Sequence, residues 1–166
     1  RLAGGSDGQP RFGAPRKSFI HPDVHSIETH PSSPNLVTAP TGGGLYRSTD
    51  GGATWACLYD CYCRAAWIDP NDSDHIIFGP ADFIDAKGRI EETRDGGRTW
   101  TPAGLQTPWR NHMVERFAQA GDELLAVLSN GELISAPLAS LEWKRVLPDV
   151  EDVAAAAVLV LKKGNS

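Results

Sequence analysis

The sequence predicts an all-β chain built from a repeated four-stranded unit, and three observations carry that prediction. The stretch Ser48-Thr49-Asp50-Gly51-Gly52-Ala53-Thr54-Trp55 returns closely as Thr93-Arg94-Asp95-Gly96-Gly97-Arg98-Thr99-Trp100, with both aspartates and both tryptophans 45 residues apart. A period of about 40–45 residues that preserves one turn and one aromatic marks a single supersecondary unit used repeatedly. Pro31 and Pro70 fall in corresponding polar turns, at 30–35 and 69–74. The composition, with 17 Gly, 12 Pro and 5 Trp but 1 Met in 166 residues, is that of a turn-rich, aromatic-plugged, short-stranded protein.

Taken in order, residues 1–17 are rich in Gly, Pro and Arg without periodicity, which predicts an extended or disordered arm, with a strand addition near Phe19-Ile20. The first unit is expected over about 24–60, with strands at 24–29, 36–39, 45–49 and 55–59. The second spans about 64–105, with strands at 65–68, 75–79 and 89–94 and a fourth beginning at Trp100. The third, about 112–147, keeps Ser135 and Trp143 but replaces the Asp-Gly turn by Pro137-Leu138-Ala139-Ser140, which predicts a looser turn. Residues 152–161 read as the first strand of a fourth unit or, given the alanine run from Ala154, as a helix, and 162–166 as a tail.

The repeated turn has a readable chemistry. Asp-Gly between apolar runs signals a hairpin, and the glycines supply the positive φ that a Cβ would penalise. Asp50 and Asp95 are expected to accept backbone N–H groups of their own turns, assisted by the Ser48 and Thr93 hydroxyls. Trp55 and Trp100 then plug each hairpin.

Ser48, Asp50, Gly52, Thr54 and Trp55, matched by Thr93, Asp95, Gly97, Thr99 and Trp100, resemble the Asp-box, or BNR, repeat of β-propellers. That group includes sialidases, xyloglucan-type glycosidases, sortilin-like receptors and a photosystem II assembly factor. The resemblance implies a partial β-propeller of about three four-stranded antiparallel blades plus one extra strand. It implies a fold more firmly than an activity, because the motif sits at a structural turn. Three blades and one strand do not close a ring. The chain is therefore expected to be part of a longer propeller, with completion of an open ring by a second copy as the other expectation.

In such a blade, the loop entering the innermost strand and the loop joining the second and third strands share one rim, with the Asp turn on the other. Register then places Asp23 and His25, Cys63 and Arg64, Arg110 and His112, and Glu151 and Asp152 successively around the first rim, joined by Asp82 and Asp85 from the loop 80–88. Asp82, Asp85 and Asp152 are the candidate catalytic carboxylates, for which a glycosidase needs two, some 5–10 Å apart. His25, Arg64, Arg110 and His112 are candidate ligand-binding residues, and Trp109 is a candidate sugar-stacking platform or a plug between blades. The three arginines, the Tyr/Glu pair and the Arg-Ile-Pro segment of sialidases are not recognisable, and neither are the catalytic aspartates of xyloglucan-type enzymes.

A net charge of −5 argues against a nucleic-acid or anionic-membrane surface, and no apolar run approaches the ~18 residues of a membrane span. Cys57, Cys61 and Cys63 are consistent with buried thiols, one disulfide with a free thiol, or a metal site. The functional expectation is a non-catalytic binding or assembly propeller, for carbohydrate or a protein partner, needing no metal or cofactor. The alternatives are a carbohydrate-active hydrolase and a metal or redox role for the cysteines.

Overall fold

The computed structural model describes residues 9–11, 13–104 and 109–157, and in them every regular element is a strand. The first sheet holds Gln9–Pro10 (β1), Glu28–His30 (β2), Ser33–Thr41 (β3), Gly44–Ser48 (β4) and Ala56–Asp60 (β5), in the order β1-β5-β4-β3-β2. Tyr62–Asp69 (β6), Asp72–Ala81 (β7), Glu91–Thr93 (β8) and Thr101–Pro102 (β9) form the second, in simple up-and-down order. The third is Val114–Ala120 (β10), Glu123–Leu128 (β11), Leu133–Pro137 (β12) and Lys144–Val146 (β13), again in sequence order. All pairings are antiparallel.

Two of the sheets have four strands. The first gains a fifth because the arm pairs through Gln9 and Pro10 with Asp60 and Tyr59, then bridges again from Lys17 to Trp55. Strand addition thus falls at Gln9–Pro10 rather than at Phe19-Ile20, where Phe19 is exposed. Residues 151–157 run without helix or strand, and the remainder of the 152–161 segment lies outside the described residues.

The sheets stack face to face through apolar side chains. Leu45 and Leu58 of the first sheet meet Ile68, Ile76 and Phe78 of the second, while Ile77 and Trp67 meet Val114, Leu124, Ala126 and Ile134 of the third. Phe78, Leu45, Ile76 and Ile77 are fully buried, each worth about 1.5–3 kcal/mol in transfer free energy. Period-2 alternation supplies both packing faces of the middle sheet, because neighbours Ile76 and Ile77 point to opposite sides.

The repeated turns are built alike. Ser48 Oγ donates to Asp50 Oδ1 (2.7 Å) and accepts from Gly52 N (2.9 Å), while Asp50 accepts Thr54 N (2.8 Å) and Thr54 Oγ1 (2.6 Å). Thr93, Asp95, Gly97 and Thr99 repeat the pattern at 2.8, 2.9, 2.9 and 2.6 Å. Gly52 and Gly97 take φ of +92° and +95°, left-handed backbone that favours glycine. Trp100 donates its indole N–H to Gly97 O (3.2 Å) and packs 4.6 Å from Phe78 and 5.6 Å from Tyr59, so it joins two sheets as well as closing its hairpin. Trp55 is half-buried beside the arm, and Trp143 reaches back to donate to Ala103 O of the second unit (2.8 Å).

The degenerate third turn is not loose. Ser140 N and Leu141 N both donate to Pro137 O, at 3.1 and 2.8 Å, and Leu141 takes φ +52° and is buried. Backbone bonds and an apolar anchor replace the Asp-centred network there.

Candidate functional site

The rim opposite the Asp turns is assembled from the segments that lead into β2, β6 and β10 together with the loops β3–β4, β7–β8 and β11–β12. At the inner strands it opens into a cleft of about 440 Å³ whose lining includes His25, Ser26, Glu28, Arg64, Glu115 and Arg116.

Arg64 is the hub of that cleft. Its Nη1 forms an ion pair with Glu115 of the third sheet, its Nε donates to Tyr62 Oη (3.1 Å), and its backbone carbonyl accepts Ser26 Oγ of the first (3.2 Å). Arg64, through its side chain and its backbone carbonyl, thereby ties the second sheet to the third and to the segment leading into the first. His25 packs its ring 5.2 Å from that of Tyr62, and its Nε2 is buried, without a hydrogen bond and 3.5 Å from Asp23 Oδ2. Burial pushes the His25 pKa down against the opposing pull of Asp23, favouring neutral imidazole. Glu28 is exposed as a residue, yet partial withdrawal of its carboxyl from water raises its pKa, and it has no ion-pair partner among the described residues.

The remaining candidates gather elsewhere on this rim. Asp82 is held by Lys87 Nζ (3.0 Å) and Arg89 Nη1 (3.2 Å), and Asp85 occupies a left-handed turn position at φ +52°. Gly88 bridges to Trp109, whose N–H donates to Gly88 O (2.7 Å), and Lys87 N donates to Arg110 O (3.4 Å), so the β7–β8 loop and the segment before β10 fasten to each other. Trp109 is half-buried against the core between the second and third sheets, 5.0 Å from the His112 ring. Burial lowers the His112 pKa, and its Nε2 has no partner. Asp152, with φ +56°, lines a second cleft with Glu115, Asn130 and Gly131, while Glu151 is exposed in a neighbouring depression.

His25 and Arg64 therefore share one cleft, Asp82, Asp85, Trp109, Arg110 and His112 form a second cluster, and Asp152 meets the first cleft only through Glu115. Glu28, Tyr62, Glu115 and Arg116 were not among the sequence candidates. Glu115 carried a usable signal, since it lies three residues after His112 at the mouth of an innermost strand.

Cys57, Cys61 and Cys63 are free thiols. Cys63 is fully buried with its Sγ 3.8 Å from Thr41 O, directed into the blade rather than the cleft. Burial pushes Cys57 up to about 11 and Cys61 well above its ordinary value. Among the described residues no group of three or more His, Cys, Asp or Glu is arranged to hold a metal, and no helix is long and apolar enough to cross a membrane.

Against known proteins, no family profile matches the chain, and no curated protein does. Among solved structures it is similar to an ancestral GH74 enzyme, with TM-score 0.60 and 19% identity over 74% of this chain and 18% of that one. The GH74 xyloglucanase from Xanthomonas campestris gives 0.55 and 18%, over 74% and 22%. YCF48 from Cyanidioschyzon merolae gives 0.56 and 18%, over 83% and 42%, and a structure of YCF48 bound to D1 peptide gives 0.52 and 13%, over 86% and 44%. These neighbours are propellers.

The three sheets are propeller blades. The chain spans about a fifth of the length of the GH74 enzymes and less than half of YCF48. At these identities the likeness speaks to fold alone.

Proposed function

We propose that this chain is a non-catalytic propeller segment that binds a protein partner through the rim formed by its inner-strand loops. Its blades are taken as 24–60, 64–105 and 112–147, and its two Asp-centred turns as Asp-boxes, with Ser48, Asp50, Gly52, Trp55, Thr93, Asp95, Gly97 and Trp100 in structural roles. The observation that carries this reading is the state of the predicted catalytic carboxylates. Asp82 is neutralised by Lys87 and Arg89, and Asp152 lines a cleft apart from the cluster that holds Asp82 and Asp85, so the three do not converge on one reacting atom. Backbone hydrogen bonds from Trp109 N to Gly88 O and from Lys87 N to Arg110 O fasten two rim segments to each other, which suits recognition by a preformed surface. A propeller neighbour bound to a peptide lends support.

The test is site-specific photo-crosslinking. A crosslinking amino acid at the exposed Ile27 is expected to yield partner adducts in the source cell, and one at the exposed Asn71, on the opposite rim, is not. Adducts only from Asn71, or equal yields from both, would overturn the reading.

One observation favours hydrolysis as a second reading. Glu28 and Glu115 line the same cleft, with Glu28 raised by burial and Glu115 held by Arg64, and divergent environments for two carboxyls are what acid and base roles require. Release of reducing ends from soluble β-glucans, abolished by both Glu28→Gln and Glu115→Gln, would replace binding with catalysis.

A further inference from the structure

The tip of the β7–β8 loop presents two bulky apolar side chains to water, Phe83 at 53% and Ile84 at 44% exposure. This is a held conformation rather than a slack one. Ala86 N donates to Phe83 O (3.1 Å), Asp82 N donates to Ala86 O (3.0 Å), and the Asp82 carboxylate sits between Lys87 and Arg89. Asp85 and Lys87 both take left-handed φ, +52° and +53°, at positions that are not glycine. Backbone strain of this kind persists where the surroundings over-determine it. Large apolar groups on a pinned tip lose little conformational freedom on binding, which is the property of an interface anchor.

The tip is continuous with the cleft. The Phe83 ring lies 6.3 Å from that of Tyr62, Tyr62 lies 5.2 Å from His25, and Tyr62 Oη accepts the Arg64 Nε–H. An aromatic wall therefore runs from the exposed Phe83 to the buried Nε2 of His25, which makes no hydrogen bond and faces Asp23 at 3.5 Å. The charges flanking it are biased. Asp23, Glu28 and Asp85 have no lysine or arginine partner among the described residues, whereas Asp82 has two and Glu115 has one. Arg116 lies with Glu115 on the third-sheet wall of the cleft, and Arg110 lies beyond the loop.

We infer that the Phe83–Ile84 tip and the Tyr62–His25 wall form a docking surface for an extended protein segment carrying an aliphatic or aromatic side chain next to lysine or arginine. This rests on the binding reading above and gives its partner a chemistry. The apolar side chain covers Phe83 and Ile84, and the basic ones meet Asp85, Asp23 and Glu28, none of which has a lysine or arginine partner among the described residues. A second copy suits the surface less well, since it would bring the same carboxylates together.

Three labelled peptides test it by fluorescence anisotropy: Gly-Lys-Leu-Lys-Phe-Lys-Gly, the same with Glu for Lys, and the same with Ser for Leu and Phe. The first is expected to bind at least about tenfold more tightly than either other. Phe83→Ser and Ile84→Ser each weaken it by about tenfold or more, without altering the melting temperature, because both side chains are exposed. Asp85→Asn combined with Glu28→Gln weakens it and flattens its salt dependence. No binding of the first peptide, equal binding of the acidic one, or unchanged binding by both serine variants would overturn the inference. So would a homodimer in sedimentation that Phe83→Ser dissolves. Ile27 adducts without peptide binding would leave the rim reading standing and remove this one, whereas absence of Ile27 adducts removes the rim reading itself.

Discussion

Nε2 of His75 on β7 stands 2.8 Å from Oε1 of Glu92 on β8, while its Nδ1 stands 3.0 Å from Oδ2 of Asp69 at the end of β6. The ring is buried, edge-on to Trp67 at 5.3 Å, and Glu92 also receives Arg94 at 2.6 Å. One imidazole thus staples three strands of the middle blade, with one ring nitrogen facing each carboxylate. His75→Ala leaves Asp69 and Glu92 without that shared partner and is expected to cost about 1–3 kcal/mol, read from urea unfolding. Asp69 sits below its ordinary pKa: burial opposes its charge, but the Asn71 N–H and His75 outweigh that. A depressed folded pKa contributes stability above the ordinary value of 3.8 and loses it as pH falls further, so the cost of His75→Ala should shrink on acidification. An equal cost at both ends would contradict the staple.

The Asp turns are expected to be the acid-sensitive joints. Asp95 is held at about 2 by the Thr99 hydroxyl first and its N–H second, and Asp50 is lowered in the same way by Thr54. Ionised Asp95 stabilises its turn above about pH 4, and that contribution fades as pH falls toward about 2. Tryptophan fluorescence followed through this window should change in the wild type and lose that component in Asp95→Asn, since Trp100 closes the same hairpin.

The Arg64–Glu115 pair bridges two blades at about a quarter exposure on each side. A double-mutant cycle with Arg64→Met and Glu115→Gln should give a coupling of about 1 kcal/mol or less, weakened by salt. Arg64→Met alone should cost more than Glu115→Gln, because it also removes the donor to Tyr62 Oη. A coupling insensitive to salt would argue against an ion pair.

The thiols should be inert in the folded chain. With Cys57 raised to about 11 and Cys61 higher than its ordinary value through burial, little thiolate exists at neutral pH, and Cys63 is fully enclosed. Alkylation by iodoacetamide is expected to be slow at pH 7 and fast in denaturant for all three. A rapidly labelled thiol in the native protein would revive a redox role.

By itself the sequence determined the hairpins: residues two to four positions apart make the Asp50 and Asp95 networks, so their geometry is written in contiguous residues. The period between them, with Pro31 and Pro70, carried the strand order, because up-and-down blades pair consecutive strands. The replacement turn at Pro137 escaped that reading, since its closure depends on backbone bonds and on burial of Leu141. What only the tertiary structure decided is the company each rim residue keeps. Ser26 meets Arg64 across 38 positions, Arg64 meets Glu115 across 51, and Glu92 meets His75 across 17. Such pairings follow from how neighbouring strands and blades twist and stack, and a one-residue shift would turn each side chain to the other face, so no local pattern specifies them.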